Sequence, residues 1–366
     1  MDKKVRIGVL GGARGASMIN YCERSDNAVV VAICDKNPEV LETQRRTLKD
    51  DRITYYDNFE DFLRHDMDAV VLANYANEHA PFAIRAMRRG LHVFSEVLPC
   101  QTMKEAVELI EAVEETGKIY AYGENYCFMP APYEMKKLYR AGKIGEFEYG
   151  EGEYIHNCEP IWPSITYGEP DHWRNWGYST FYCTHSLGPI IHITGLRPVS
   201  VIGLEGTKNE RNLRVGKRAG QFGMEMVTLE NGGIVKSIHG ELYKNSIWYS
   251  VYGSKGEMES GREAAKAGKV GHIYVKADEY SGGRTACRAS VTAARTTTPC
   301  ITLWKRFSEI RMPTPLTSMR QWICTCPECS PTVPSSQAAS PWRSRTCATR
   351  HSATGGGTML PAPPPP

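Results

Sequence analysis

Residues able to do chemistry cluster in two stretches of the chain, and the later stretch is the more reactive. His185 follows the aromatic pair Phe181-Tyr182 and precedes Gly188-Pro189, where a neutral imidazole poised near physiological pH could take a proton. Tyr154 sits in an alternating run in which Glu153 and Ile155 point the other way. Its phenol could hydrogen-bond a substrate hydroxyl or, with a lowered pKa, act as a base. Plainer readings stand beside these: a lone histidine is more often structural, and tyrosine is common in strands. Arg174, between Trp173 and Asn175, could clamp hydroxyl or acetamido groups. Trp162, Trp173 and Trp176 fall in a Pro-, Gly- and Tyr-rich stretch, 158–182, long enough for a functional loop. Tyr243, beside another strand-like run, is a weaker binding candidate.

The earlier stretch has the layout of a dinucleotide site. Val5–Leu10 is an apolar strand, followed at once by Gly11-Gly12-Ala13-Arg14-Gly15-Ala16 and a helical segment. A strand, a tight turn and a helix N-terminus aim backbone N–H groups and the helix dipole at a pyrophosphate. Read from Gly11 the glycine pattern is G-x-A-x-x-A, which alone is weak. A second buried run, Ala28–Cys34, ends in Asp35, 24 residues after Gly11, near the spacing of a ribose-binding carboxylate. An acid there favours NAD over NADP, and Lys36 leaves NADP open. The alternative is that Asp35 caps the helix starting near Pro38.

These side chains need elements to hold them. The alternation continues with a strand at 69–73, a helix at 81–89, a strand at 92–96 and a helix at 103–116. The last helix opens on a Thr102-x-x-Glu105 capping box, stops at Gly117 and carries Met103, Ala106, Val107, Ile110 and Val113 on one face. Such units specify a parallel doubly wound sheet with ligands at the strand carboxyl ends, here Asn74 to His79 and Glu96-Val97.

With those segments in place, residues 4–280 resemble the Gfo/Idh/MocA oxidoreductases. The resemblance rests on Gly8 to Gly15, Asp35, Ala73-Asn74-Tyr75-Ala76-Asn77-Glu78-His79, Glu96-Val97-Leu98-Pro99 and Tyr139 to Phe147. Most dehydrogenases of this family carry Glu-Lys-Pro after the fifth strand; here Val97 takes the lysine's place and Pro99 comes one residue late. Together with Glu124-Asn125-Tyr126-Cys127, Glu151 to His156, Trp173-Arg174 and Tyr182 to Pro189, that departure resembles the NAD-dependent α-N-acetylgalactosaminidase branch of glycoside hydrolases.

The resemblance implies an α/β chain: a Rossmann doubly wound parallel sheet over 1–123 and an α/β domain with an open antiparallel sheet over 124–284. Arg14, Gly15, Asp35, Ala76, Asn77, Glu78, His79, Glu96, Val97 and Asn125 are then expected at NAD, with Gly11, Gly12, Ala13 and Asn74 from the strand-end reading. Tyr154, Arg174, Tyr182 and His185 would face a sugar. Hydride transfer from a sugar carbinol is the first reading. An NAD-dependent glycosidase, which needs no pair of catalytic carboxylates, and an inactive NAD-binding remnant are the alternatives.

Charge sharpens where this reading stops. Residues 285–366 hold nine basic residues and two acids, +7, whereas residues 1–284 hold 35 and 39, −4. The final stretch also has no Asp or Tyr, 12 of the 22 prolines and six of the 12 cysteines. A shifted reading frame is the expected cause of this change, with a disordered tail as the alternative. Cys324, Cys326 and Cys329 lack a second paired cluster, so no metal site is assigned. The acidic body gives no support to a nucleic-acid or membrane partner. Scattered thiols and the lack of a signal-like start lead to the expectation of a cytoplasmic protein, homo-oligomeric if the second domain is intact.

Overall fold

The computed structural model describes residues 4–262, 272–277 and 280–286, so the unusual tail and its cysteine cluster lie outside the described residues. Strands β1 (Val5–Leu10), β2 (Ala28–Cys34), β3 (Thr54–Tyr56), β4 (Ala69–Leu72), β5 (His92–Ser95) and β6 (Tyr120–Tyr122) form one sheet. Its order is β3-β2-β1-β4-β5-β6 and every pairing is parallel. Runs such as Ala69-Val70-Val71-Leu72 are buried throughout because helices cover both faces of a parallel sheet. The order reverses between β1 and β4, which opens a crevice at their carboxyl ends.

The helix Met103–Thr116 forms as read, with both arms of the capping box made and Gly117 at φ 61° closing it. Its buried face differs. Ala106, Leu109, Ala112 and Val113 face the core, whereas Met103 and Val107 are each 48% exposed. The helix packs along the stripe of Ala106, Leu109 and Val113, i, i+3 and i+7, and small Ala112 widens it in the core shared with the helix His79–Arg88.

A second sheet contains β7 (Phe147–Ile155), β8 (Pro198–Glu205), β9 (Phe222–Leu229), β10 (Ile234–Gly240), β11 (Ser246–Gly253), β12 (Gly256–Ser260), β13 (His272–Ala277) and β14 (Tyr280–Ala286). Its order is β14-β13-β12-β11-β7-β10-β9-β8. The sheet is open and mostly antiparallel, as expected, with one parallel seam between β7 and β10. The meander β8-β9-β10 joins the sheet through its last strand, which returns beside β7 in the same direction.

The helix Thr184–Thr194 lies on one face of this sheet. Leu187, Ile190 and Ile191 pack there with Val227, Val235, Tyr249 and Val251, each large apolar side chain contributing about 1.5–3 kcal/mol by burial. Gly152 on β7 allows the close approach: a Cβ there would lie 1.9 Å from the Ser186 carbonyl oxygen. The hydroxyls of Ser186 and Ser237 meet at 2.8 Å across the same contact. No helix among the described residues is long and apolar enough to cross a membrane.

Candidate functional site

A cavity of about 410 Å³ opens where the carboxyl ends of the first sheet meet the helix-bearing face of the second. Arg14, Asn74, Ala76, Glu96, Val97 and Asn125 line it from the first side; Tyr154, Arg174, Tyr182 and His185 line it from the second. Six of the cofactor-side candidates and the four substrate-side candidates therefore share one space.

His185 is the most constrained of them. It is 5% exposed, in the first turn of the helix Thr184–Thr194, and its Nδ1 lies 2.8 Å from both carboxylate oxygens of Glu124, which is fully buried. A carboxylate can only accept, so Nδ1 carries the proton and donates it, leaving Nε2 as the acceptor. Glu124 itself accepts from the Thr184 hydroxyl at 2.7 Å and the Tyr126 backbone N–H at 2.9 Å. Behind the ring, the Tyr249 hydroxyl donates to the His185 carbonyl at 2.7 Å. Tyr126, Tyr154 and Tyr182 surround the imidazole with ring centroids 4.6–5.2 Å away.

The other substrate-side candidates divide. Burial pushes the Tyr154 phenol well above its ordinary pKa, with Tyr126 and Tyr182 adding to the shift. That direction is opposite to what a tyrosine base needs, so Tyr154 is a hydrogen-bonding group; its hydroxyl lies 3.1 Å from His156 Nδ1. Arg174 stacks on Trp173, 4.5 Å from the ring centroid, and no carboxylate pairs with it among the described residues. Tyr182 faces the cavity. Tyr243 does not reach it: it is 73% exposed, in the turn between β10 and β11. Trp162 and Trp173 line the cavity and Trp176 is exposed.

On the dinucleotide side, Gly11 has φ +90°, and a Cβ there would sit 2.3 Å from the Ala73 carbonyl oxygen. Gly15 packs so closely that a Cβ would meet Val9 at 2.5 Å. Ala13 is exposed and needs no glycine, which explains the imperfect pattern. Asp35 is not the helix cap. Asn37 takes that role, accepting from the Glu39 N–H, while Asp35 accepts from the N–H groups of Gly12 and Asn37, each at 2.9 Å. The carboxylate thus ties the glycine turn to the end of β2. Gly15, at the N-cap of the helix Ala16–Glu23, supplies no side-chain cap, and no acid occupies the first turn. An open helix start beside a fixed carboxylate fits a pyrophosphate and a ribose.

Farther along, Arg14 pairs with Glu96 at 2.8 Å, and Asn74 donates to Glu78 at 3.0 Å. Asn77 stays on the short 3-10 turn Ala76–Glu78, half-buried. His79 departs from the expectation of a cofactor contact. It is 1% exposed and bonds the Leu98 carbonyl at 2.7 Å through Nδ1, so it braces the segment after β5 from below.

Residues 5–124 match the family model described as oxidoreductase family, NAD-binding Rossmann fold (GFO_IDH_MocA). That segment is similar to the Gfo/Idh/MocA oxidoreductases. The chain is 31% identical over 203 residues to Glycosyl hydrolase family 109 protein 2 of Shewanella sp. (strain ANA-3), covering 52% of this chain and 44% of that protein. A Glycosyl hydrolase family 109 protein of Porphyromonas gingivalis is 31% identical over 201 residues, 50% and 42% of the two chains. The chain thus spans less than half the length of these relatives. Among solved structures, the myo-inositol 2-dehydrogenase of Lactobacillus plantarum superposes with TM-score 0.69 at 20% identity, over 88% of this chain and 94% of that one. The aldose-aldose oxidoreductase of Caulobacter crescentus, complexed with glycerol, gives 0.70 at 19%, over 88% and 95%. These likenesses show that the fold is shared.

Several residues that matter were not singled out as site residues from sequence. Glu124 stands two residues past β6, where the strand-end rule that drew attention to Glu96 applies equally. His239 occupies the position on β10 paired with Tyr154, a parallel register that sequence does not reveal. Lys217, 2% exposed, pairs with Glu241 at 2.7 Å in the cavity wall. Among the described residues no group of three or more His, Cys, Asp or Glu side chains could hold a metal ion.

Proposed function

We propose that the protein oxidises a carbinol of a small carbohydrate by hydride transfer to NAD. The observation that carries this is the His185–Glu124 pair, facing a cavity bounded by the glycine turn's Arg14 and by the strand ends at Asn74, Glu96 and Val97. Hydride acceptance is the chemistry supplied by bound NAD. The chain's own part is to bind, orient and deprotonate. His185 Nε2 takes the hydroxyl proton as the carbon–hydrogen bond breaks, and Glu124 stabilises the resulting imidazolium through Nδ1–H. Tyr154, Tyr182 and Arg174 hold the other hydroxyls. Asp35 favours a ribose with a free 2′-hydroxyl, hence NAD over NADP.

A second reading has a specific observation behind it. Val97 lines the cavity where most dehydrogenases of the family present lysine, and the curated relatives are named as glycosyl hydrolases. In that reading the same base opens an oxidation, after which the ketone acidifies the neighbouring C–H, the aglycone leaves, water adds and the ketone is reduced back.

One experiment separates the two. Net formation of reduced nicotinamide with free sugars, followed by absorbance, supports the dehydrogenase. Release of an aryl aglycone with no net reduced nicotinamide supports the glycosidase. Neither signal, from a chain that binds NAD, leaves the inactive remnant.

A further inference from the structure

Lys217 and Glu241 line the cavity and have no task in the chemistry above. Lys217 comes from the loop before β9, and Glu241 is the first residue after β10. The Lys217 side chain is 2% exposed and that of Glu241 14%. Lys217 Nζ donates to Glu241 Oε1 at 2.7 Å, lies 3.5 Å from the Ser179 hydroxyl and has the centroid of the Trp162 ring 5.6 Å away. Asn212 Nδ2 donates to Glu241 Oε2 at 3.2 Å. The ammonium is therefore enclosed. The carboxylate is not: two of its roughly four acceptor positions are taken, and partial exposure on the cavity wall leaves room for a further donor. Apolar side chains of the same volume would spare the cost of desolvating two charges, so packing alone does not account for this pair.

Arg174 supplies the second half of the arrangement. It lines the same cavity, and its guanidinium makes no ion pair with Glu241 or any other carboxylate among the described residues. The two charges nevertheless act on each other. Burial pushes the Glu241 carboxyl up, and Lys217, Arg174 and Arg211 hold it down in part. The Cys158 thiol, on the same wall, stands among the same charges: burial pushes it up to about 11, Glu241 adds to the shift, and Arg174 and Lys217 oppose it. A cation and an anion that share a wall without meeting leave a gap between a donor and an acceptor. Two adjacent hydroxyls fill such a gap, one accepting from the guanidinium and its neighbour donating to the carboxylate.

We propose that Glu241 is a substrate-binding and specificity-determining residue, whose carboxylate accepts a hydrogen bond from one hydroxyl of a vicinal pair while the other hydroxyl accepts from Arg174. Lys217 and Asn212 are positioning residues that hold the carboxylate in place. The inference rests on the carbohydrate reading above and adds a requirement for a hydrogen-bond donor at one position of the sugar. A carboxylate only accepts, so a deoxy carbon, a fluorine or an anionic substituent at that position is rejected.

The test uses the full chain with NAD bound and a panel of monodeoxy and deoxyfluoro sugars. Fluorine is close to a hydroxyl in size and cannot donate. At one position both substitutions should weaken binding about 10- to 100-fold, read as a dissociation constant by calorimetry and as KM. The paired variant Lys217→Met with Glu241→Met removes both charges at similar volume, so melting temperature should stay close to wild type and NAD affinity unchanged. In it the parent sugar should bind as weakly as the analogue lacking the gripped hydroxyl. Lys217→Met with Glu241→Gln reinstates an acceptor and should restore part of the difference. A wild-type chain that binds every analogue as tightly as the parent overturns the assignment, whether or not the variants fold. So does a paired methionine variant that still tells the analogues apart as wild type does, because the ion pair is then only a brace. Both outcomes leave the carbohydrate reading intact. A wild-type chain with NAD bound that neither binds nor turns over any sugar or aryl glycoside sinks both.

Discussion

Replacing Glu124 by glutamine isolates the part of the site on which the proposed chemistry depends. The carboxylate accepts from His185 Nδ1–H, from the Thr184 hydroxyl and from the Tyr126 N–H, all within 2.9 Å. An amide brings a donor into a pocket of donors. If its NH2 takes the place of Oε1 it confronts the Tyr126 N–H, so the NH2 must turn toward Thr184 and His185. The Thr184 hydroxyl can reverse, because Tyr122 OH lies 2.9 Å away to share its proton. The imidazole keeps Oε1 as an acceptor 2.8 Å from Nδ1, but the NH2 at the other position now competes as a donor and favours the tautomer with its proton on Nε2, and the charge that stabilises the imidazolium is gone. Depriving an imidazole of its orienting carboxylate costs about 10³- to 10⁴-fold in kcat. Losing charge-assisted hydrogen bonds at a fully buried group costs about 2–3 kcal/mol of stability, a fall of roughly 5 °C in Tm. Steady-state hydride transfer, calorimetry and an NAD titration measure the three quantities, and NAD affinity should stay within about twofold because the glycine turn is untouched. A folded Glu124→Gln variant with kcat within about threefold of wild type would refute the tautomer argument.

Two further perturbations test the fold around the site. Glu225 on β9 is buried at 2% exposure, and burial pushes its carboxyl up to about 8, opposed in part by Ser237. The folded state therefore binds this proton more tightly than the unfolded chain, so its contribution falls as pH rises from about 4.5 to 8. Glu225→Gln should accordingly raise Tm near pH 8 by several degrees and leave it unchanged near pH 4; equal effects at both pH values would count against a protonated Glu225. Gly152→Ala forces a Cβ against the Ser186 carbonyl and displaces the helix that carries His185. A loss of about 2–4 kcal/mol in stability by denaturant titration, with NAD binding retained, is the expected outcome.

Much of this was legible before the structure, for reasons that can be named. β1, β2, the capping box at Thr102 and the stop at Gly117 are local signals, set by apolar runs, side-chain caps and left-handed glycine, and they formed as read. Arg14, Tyr154, Arg174, Tyr182 and His185 line the cavity, and Asp35 bonds the glycine turn at Gly12, because motif spacing reflects local chain geometry. What escaped depends on contacts distant in sequence. Glu124 and His185 are 61 residues apart. The partnership of His239 with Tyr154 follows from the parallel β7–β10 seam, which no periodicity encodes. His79 has the spacing of a cofactor ligand, yet tertiary packing turned it under the Leu98 carbonyl. The buried face of Met103–Thr116 shifted for the same reason: periodicity shows that a helix has an apolar stripe, and its neighbours decide which part is covered.

The double tether of His185 bears on how this architecture can be divided. Its side chain is gripped by Glu124 from the end of the first sheet, while its main-chain carbonyl is gripped by Tyr249 from the middle of the second. The ring proposed to accept the proton is thus owned by neither half. A fragment ending near residue 123 retains the glycine turn but contains neither Glu124 nor His185, and a graft of the second sheet onto another nucleotide-binding module would bring the histidine without its orienting carboxylate. Exchange of modules in such a chain has to carry the Glu-Asn-Tyr segment after β6 along with the helix it serves, so the functional seam lies beyond the point where the first sheet ends.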